Sequence, residues 1–212
     1  MHKLRLPTKD FSEIPEYYSS EGQDAFVLSC LDGKRDGTFL DIGAAWPKLN
    51  NNTFLLEKQF GWTGVCVEIM PEVIQSYIDE QRTAKLFIQD ATTLDYDNII
   101  NLLGTSKIDY LSLDLEPASV TYKCLTSIPF DRIEFGEITF EHDAYRHGEQ
   151  WKQESRRLLL DAGYHLLCAN VGTNGSNCGF EDWYIHPTRV DATRVFQLMA
   201  INKEGRRIVF DL

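Results

Sequence analysis

The sequence predicts an α/β fold built on a mainly parallel sheet. Three observations carry this. Short apolar runs alternate with helix-length amphipathic segments along the 212 residues. The runs have the length and the β-branched or aromatic content of buried strands. Most of them end in an acidic residue, and the carboxyl ends of strands are where open parallel sheets bind ligands. Length predicts one domain, 1–212, with its core over 20–187 and a C-terminal extension over 188–212.

A segment over 23–31 reads as an extra helix ahead of the first strand. The first strand is 38–42, ending at Gly43. The segment 52–60 follows an asparagine run, and asparagine is a good N-cap. The second strand is 65–67, ending at Glu68. Pro71 suits the first position of a helix over 71–81. A third strand over 86–88 ends near Asp90, and a helix over 95–103 follows. The fourth strand, 108–113, ends at Asp114, and the helix 119–127 comes next. The fifth, 133–140, ends at Glu141 and His142. The helix 149–162 closes on Gly163, a C-cap residue. Strands over 164–171 and 183–185 complete the sheet. The tail 191–212 reads as a helix and an edge strand, or as a mobile end.

Composition narrows the function. There are 21 basic and 32 acidic residues, a net charge of −11. That balance argues against a nucleic-acid partner, whose phosphates call for clustered Lys and Arg. With 43% hydrophobic residues the chain is no candidate for disorder. No apolar run reaches the roughly 18–20 residues of a membrane span. The basic N-terminus lacks an apolar signal core, so a cytoplasmic protein with no membrane partner is expected. The five cysteines, Cys30, Cys66, Cys124, Cys168 and Cys178, are odd in number and contain no CxxC. Reduced thiols are expected, with neither zinc nor disulfides.

The strand ends hold the candidate chemistry: Asp41 with Gly43, Glu68, Asp90, Asp114 with Glu116, and Glu141 with His142. Acids gathered at one rim repel, and a cationic ligand relieves them. Gly43 and Ala44 let a ligand approach the backbone closely. The turn is not GxGxxG, which argues against a dinucleotide. Glu68 stands where an acid accepts hydrogen bonds from both ribose hydroxyls. Ile69 is placed to pack on an adenine face, and Asp90-Ala91 to accept from its amino group.

Phe39–Pro47 (FLDIGAAWP), Asn51–Glu57 (NNTFLLE) and Gly61–Glu68 (GWTGVCVE) occur in this order. With Gly22-Gln23-Asp24, IDYLSLDLE over 108–116 and FEDWY over 180–184, the chain resembles the FkbM-type class I methyltransferases. The resemblance runs from about residue 20 to 187. It implies a three-layer Rossmann-like fold, with a seven-stranded sheet and an antiparallel last strand. It implies S-adenosylmethionine as cofactor, with S-adenosylhomocysteine as product. Asp41, Gly43 and Ala44 in the first turn, Glu68 and Asp90 would hold it. Gln23, Asp24, Asn52 and Thr53 match positions around the same pocket, and Asp114 borders it. The implied activity is O-methylation of a hydroxyl on a sugar, glycan or other small molecule. Three positions depart from the pattern: Trp46, Pro117 in place of glycine, and Ser119 in place of a glutamate. They lie on the acceptor side and motivate an alternative, a cofactor-binding homologue without catalysis.

Methyl transfer needs a nucleophile aligned with the S–CH₃ bond and a group that takes its proton. Asp114, Glu116, Glu141 and His142 are the candidate catalytic residues. A metal-free reaction is expected. The alternative is Mg²⁺ held by Asp114, Glu116 and Glu141, which would acidify the hydroxyl directly.

Overall fold

The computed structural model describes residues 4–5, 13–14, 17–172 and 179–191. Leu4–Arg5 and Glu13–Ile14 pair antiparallel, apart from the main sheet. The main sheet has seven strands. They are β1 Thr38–Ile42, β2 Thr63–Glu68, β3 Lys85–Ile88, β4 Lys107–Leu113, β5 Glu134–Glu141, β6 His165–Val171 and β7 Glu181–Ile185. Their order is β3-β2-β1-β4-β5-β7-β6. The first five run parallel. β7 enters between β5 and β6, antiparallel to both, so the expected antiparallel last strand is present. The strand order reverses beside β1, which places a crevice between the ends of β1 and β4.

The helices are α1 Gln23–Cys30, α2 Phe54–Phe60, α3 Ile74–Asp79, α4 Tyr96–Leu103, α5 Ala118–Ser127, α6 Ala144–His147 and α7 Gln150–Asp161. Alternation along the strands sorts side chains to two faces. Phe39, Cys66, Tyr110 and Trp183 pack with α1 and α2 on one face. Leu40, Ile42, Val65, Val67, Leu111 and Leu113 pack against α4, α5 and α7 on the other. Every residue of α1 is buried, so this extra helix is an internal layer.

Boundaries shift for local reasons. The helix expected over 52–60 starts at Phe54, because the Asn51 carboxamide oxygen takes the Thr53 N–H at 3.1 Å. The helix expected over 71–81 begins as a 3-10 turn, Pro71–Val73, and ends at Asp79. The single turn α6 has no apolar period, and nothing in the pattern announced it. At the amino end of the sheet Asp109 gathers Lys34 at 2.7 Å, Arg189 at 2.8 Å and the Thr38 N–H at 3.0 Å.

Cys30, Cys66, Cys124 and Cys168 are free thiols. Among the described residues no helix is long and apolar enough to cross a membrane. Cys178, the glycine-rich run 173–178 and the tail 192–212 lie outside the described residues.

Candidate functional site

Parallel register brings the strand ends level. Ile42 pairs with Val67 and Leu113, and Leu113 pairs with Phe140. Gly43, Glu68, Asp114 and Glu141 therefore form one row, and Glu181 pairs with Glu141. Two residues down, on the same face, Asp41 pairs with Cys66 and Ser112, and Ser112 with Thr139. The result is a polar ladder on the α1/α2 face with acids at its top.

Gly43 makes the first turn. Its φ is +83°, and an added Cβ would stand 1.6 Å from the Asp114 carbonyl oxygen. The Asp114 N–H donates to the Ile42 carbonyl at 3.0 Å, so β1 and β4 are drawn together here. Ala44 donates its N–H to the Val67 carbonyl at 3.2 Å, which ties the turn to β2 as well. Glu68 then organises the crevice wall. Its Oε2 accepts the Ala45 N–H at 2.8 Å, and its Oε1 accepts the N–H groups of Ile69 and Met70 at 2.7 and 3.0 Å.

The loop 45–53 is fixed by Asn51 and Arg82. The Asn51 amide donates to the carbonyls of Ala44 and Trp46 at 3.0 and 3.1 Å. Arg82, with a side chain 0% exposed, pairs with Glu57 at 2.7 Å. It also donates to the Pro47 carbonyl at 2.6 Å, to Asn51 Oδ1 at 3.1 Å and to Thr53 Oγ1 at 3.0 Å. Thr53 in turn donates to Asp41 at 2.8 Å, and Asn52 to Ser112 at 3.0 Å. Burial pushes the Asp41 carboxyl up to about 6, against the pull of Thr53, Ser112 and Arg82. Asp41, Asn52 and Thr53 thus lie beneath the rim and support it.

Asp114 and Glu141 hydrogen-bond to each other. Burial raises both, and Glu141 is pushed up to about 12 by burial, its bond to Asp114 and the charges of Asp114, Asp143 and Glu181. Like charges in contact cannot both ionise, so the pair shares a proton. Glu181 accepts from Trp183 Nε1 at 2.8 Å and Gln23 Nε2 at 2.9 Å, yet burial still lifts it to about 8. Among the described residues no basic side chain pairs with Asp114, Glu141 or Glu181. With no internal cation among the described residues these acids hold protons, and a cationic ligand would supply the charge that the protons now offset.

The other predicted residues divide clearly. His142 is 0% exposed. Its Nδ1 accepts the Ala144 N–H at 3.1 Å, and its Nε2 faces Asp182 at 3.6 Å. Burial alone would raise the Asp182 carboxyl, but Arg156 and His142 hold it well below the usual range. His142 therefore braces β5 against β7 and α7, away from the rim. Glu116 is exposed and bonded to Arg146 at 2.8 Å. Asp24 is fully buried and accepts from the Tyr18 and Ala25 N–H groups, both at 2.8 Å. Asp90 is exposed and caps the next turn through the Thr92 N–H at 2.8 Å, which lowers its carboxyl. Ala91 is buried behind it, and Ile69 is 66% exposed beside Glu68. Asn51, Arg82 and Glu181 are site residues that sequence reasoning missed. The NNT run was a signal for Asn51, but a lone arginine in a turn offers none. Beside the loop lies a cavity of 680 Å³, walled by Tyr17, Tyr18, Trp46, Lys48, Asp79 and Glu80 among others.

The Glu181 carboxyl has a sign-defined consequence. A folded pKa raised from 4.5 to about 8 adds stability below pH 4.5 that is lost as pH rises through 8. Glu181→Gln keeps an acceptor for Trp183 and cannot ionise. Between pH 4.5 and 8.5 the variant should gain on the wild type by on the order of 4 kcal/mol. Urea unfolding at the two pH values checks this, and parallel curves would refute it.

Solved structures share the fold. A protein of Clostridium thermocellum assigned as an rRNA-methylase aligns with a TM-score of 0.56 at 14% identity, over 81% of this chain and 97% of that one. The S. pombe Dnmt2 methyltransferase aligns with a TM-score of 0.50 at 15% identity, over 80% of this chain and 56% of that one. The chain therefore has the Rossmann-like fold of S-adenosylmethionine-dependent methyltransferases. No protein-family model matches the sequence, and no curated protein does.

Proposed function

We propose that the chain binds S-adenosylmethionine at the carboxyl ends of β1, β2 and β4 and transfers its methyl group to a hydroxyl oxygen. The observation that carries this reading is the row of Gly43, Glu68, Asp114 and Glu141, level across the crevice. Glu68, held by three backbone N–H groups, presents its remaining lone pair to the ribose. Ile69 supplies an apolar face for the adenine, with Asp90 and Ala91 beyond it. The uncompensated acids favour a sulfonium and an ammonium, and favour the donor over its neutral thioether product. Asp114 takes the hydroxyl proton as the methyl group leaves sulfur, while Glu141 keeps Asp114 oriented through their shared proton. Gln23 positions Glu181 behind them. His142 is a positioning residue in this scheme.

The ordered motifs of the first turn, the NNT run and GWTGVCVE favour the FkbM-type family and an acceptor such as a sugar, glycan or other small molecule. Trp46, 49% exposed, and Tyr17 offer ring faces at the 680 Å³ cavity on which a sugar packs. The net charge of −11 and the acidic rim argue against nucleic acid as acceptor. The buried free thiols fit a reducing cytoplasm.

Mass-spectrometric detection of methylated product across a panel of sugars and small alcohols tests the transfer. Asp114→Asn should lower kcat by about 10²–10⁴, a larger loss than its effect on cofactor affinity. Cofactor that binds tightly with no methyl transfer to any hydroxyl in the panel would instead support the non-catalytic homologue.

A further inference from the structure

A second cluster stands two residues beyond the Asp114–Glu141 pair. Glu116, Asp143 and His147 each bring one ligating atom within 4.8 Å of the others. Opposite ligands of a bound divalent ion at about 2.0–2.2 Å are roughly 4.4 Å apart, so a small closure completes the set. Spacing alone is common among surface acids. Asp143 supplies an independent observation. It is 3% exposed, and its Oδ1 is buried with no hydrogen-bond partner among the described residues. A buried carboxylate oxygen without a donor costs free energy, and such atoms are rare in folded proteins. The nearest cation, Arg146 Nη1, is bonded to Glu116 at 2.8 Å and stays 3.8 Å from Asp143 Oδ2. Arg146 is half exposed, with its guanidinium 5.7 Å from the Tyr145 ring centroid.

We propose that Glu116, Asp143 and His147 form a divalent-cation site, with Arg146 as the internal competitor for its two carboxylates. The donor set selects the ion. Carboxylates suit Mg²⁺, Ca²⁺ and Mn²⁺, and an imidazole beside them moves the preference towards Mn²⁺. The expectation from sequence is a metal-free reaction, with Asp114, Glu116 and Glu141 only as the alternative ligand set. This set differs, because Asp114 and Glu141 are engaged with each other. At the ends of β4 and β5 the ion would sit beside the acceptor and polarise its hydroxyl. That last consequence rests on the methyl-transfer reading. The cation site does not.

The test is a titration of the cofactor-free protein with Mn²⁺, following loss of the free-ion electron paramagnetic resonance signal. One ion should bind per chain. Glu116→Gln and His147→Gln should each weaken it at least about tenfold, and Arg146→Ala should tighten it. All three positions are at least one-third exposed, so the variants should melt with the wild type. Three results would each overturn the proposal. They are no uptake at millimolar Mn²⁺, uptake unchanged in both Glu116→Gln and His147→Gln, or no tightening in Arg146→Ala. Because the titration contains no cofactor, its failure leaves the methyl-transfer reading standing, and failure of that reading leaves the ion bound.

Discussion

Gly43→Ala should destabilise the fold by about 3–5 kcal/mol and abolish cofactor binding in whatever fraction folds. Two penalties act together. A non-glycine residue at φ +83° is strained before any contact is considered. The new Cβ would then meet the Asp114 carbonyl oxygen at 1.6 Å, and that atom is backbone in a hydrogen-bonded strand end. A flexible side chain could move aside, but this is a backbone atom, and its residue is held to β1 through the Asp114 N–H. Relief requires β1 and β4 to part, which displaces Asp114 from the row. Thermal melting with and without S-adenosylhomocysteine reads both effects. A variant that melts with the wild type and keeps its ligand shift would show that the close approach is not required.

Arg82→Met should cost a similar 3–5 kcal/mol by a different route. The side chain is fully enclosed, so its removal leaves the Glu57 carboxylate buried without its cation. The N–H and hydroxyl of Thr83 still serve Glu57, at 2.6 and 3.2 Å, but they carry no charge. The same change frees the Pro47 carbonyl, Asn51 and Thr53, which hold the loop 45–53 above the crevice. Arg82→Lys should rescue little, since one ammonium cannot serve four acceptors on different sides. The double variant Glu57→Gln with Arg82→Met should lose less than the sum of the two single changes. Denaturant midpoints for the four proteins give the coupling directly, and strict additivity would contradict the account.

Alternation and strand-end acids made most of the sheet legible in the sequence. Each strand was found because a short continuous apolar run, bounded by polar residues, marks a strand buried on both faces. The row of Gly43, Glu68, Asp114 and Glu141 was legible for the same reason, since parallel register sets strand ends level. What alternation does not give is depth. His142 follows Glu141 directly, so its side chain turns to the opposite face, where Asp182 and Arg156 enclose it. Asp41 lies two residues below the turn and is covered by Thr53. Arg82 is separated in sequence from Glu57, Asn51 and Asp41, and only folding brings them together. The same holds for Asp109, which collects Lys34 and Arg189 from opposite ends of the chain.

Cofactor binding tests the central claim most directly. Calorimetric titration of the wild type with S-adenosylhomocysteine, beside Glu68→Gln, should give micromolar affinity that falls at least about tenfold in the variant. The ligand should also raise the melting temperature of the wild type more than that of the variant. A folded wild type that binds neither S-adenosylhomocysteine nor S-adenosylmethionine would contradict the account.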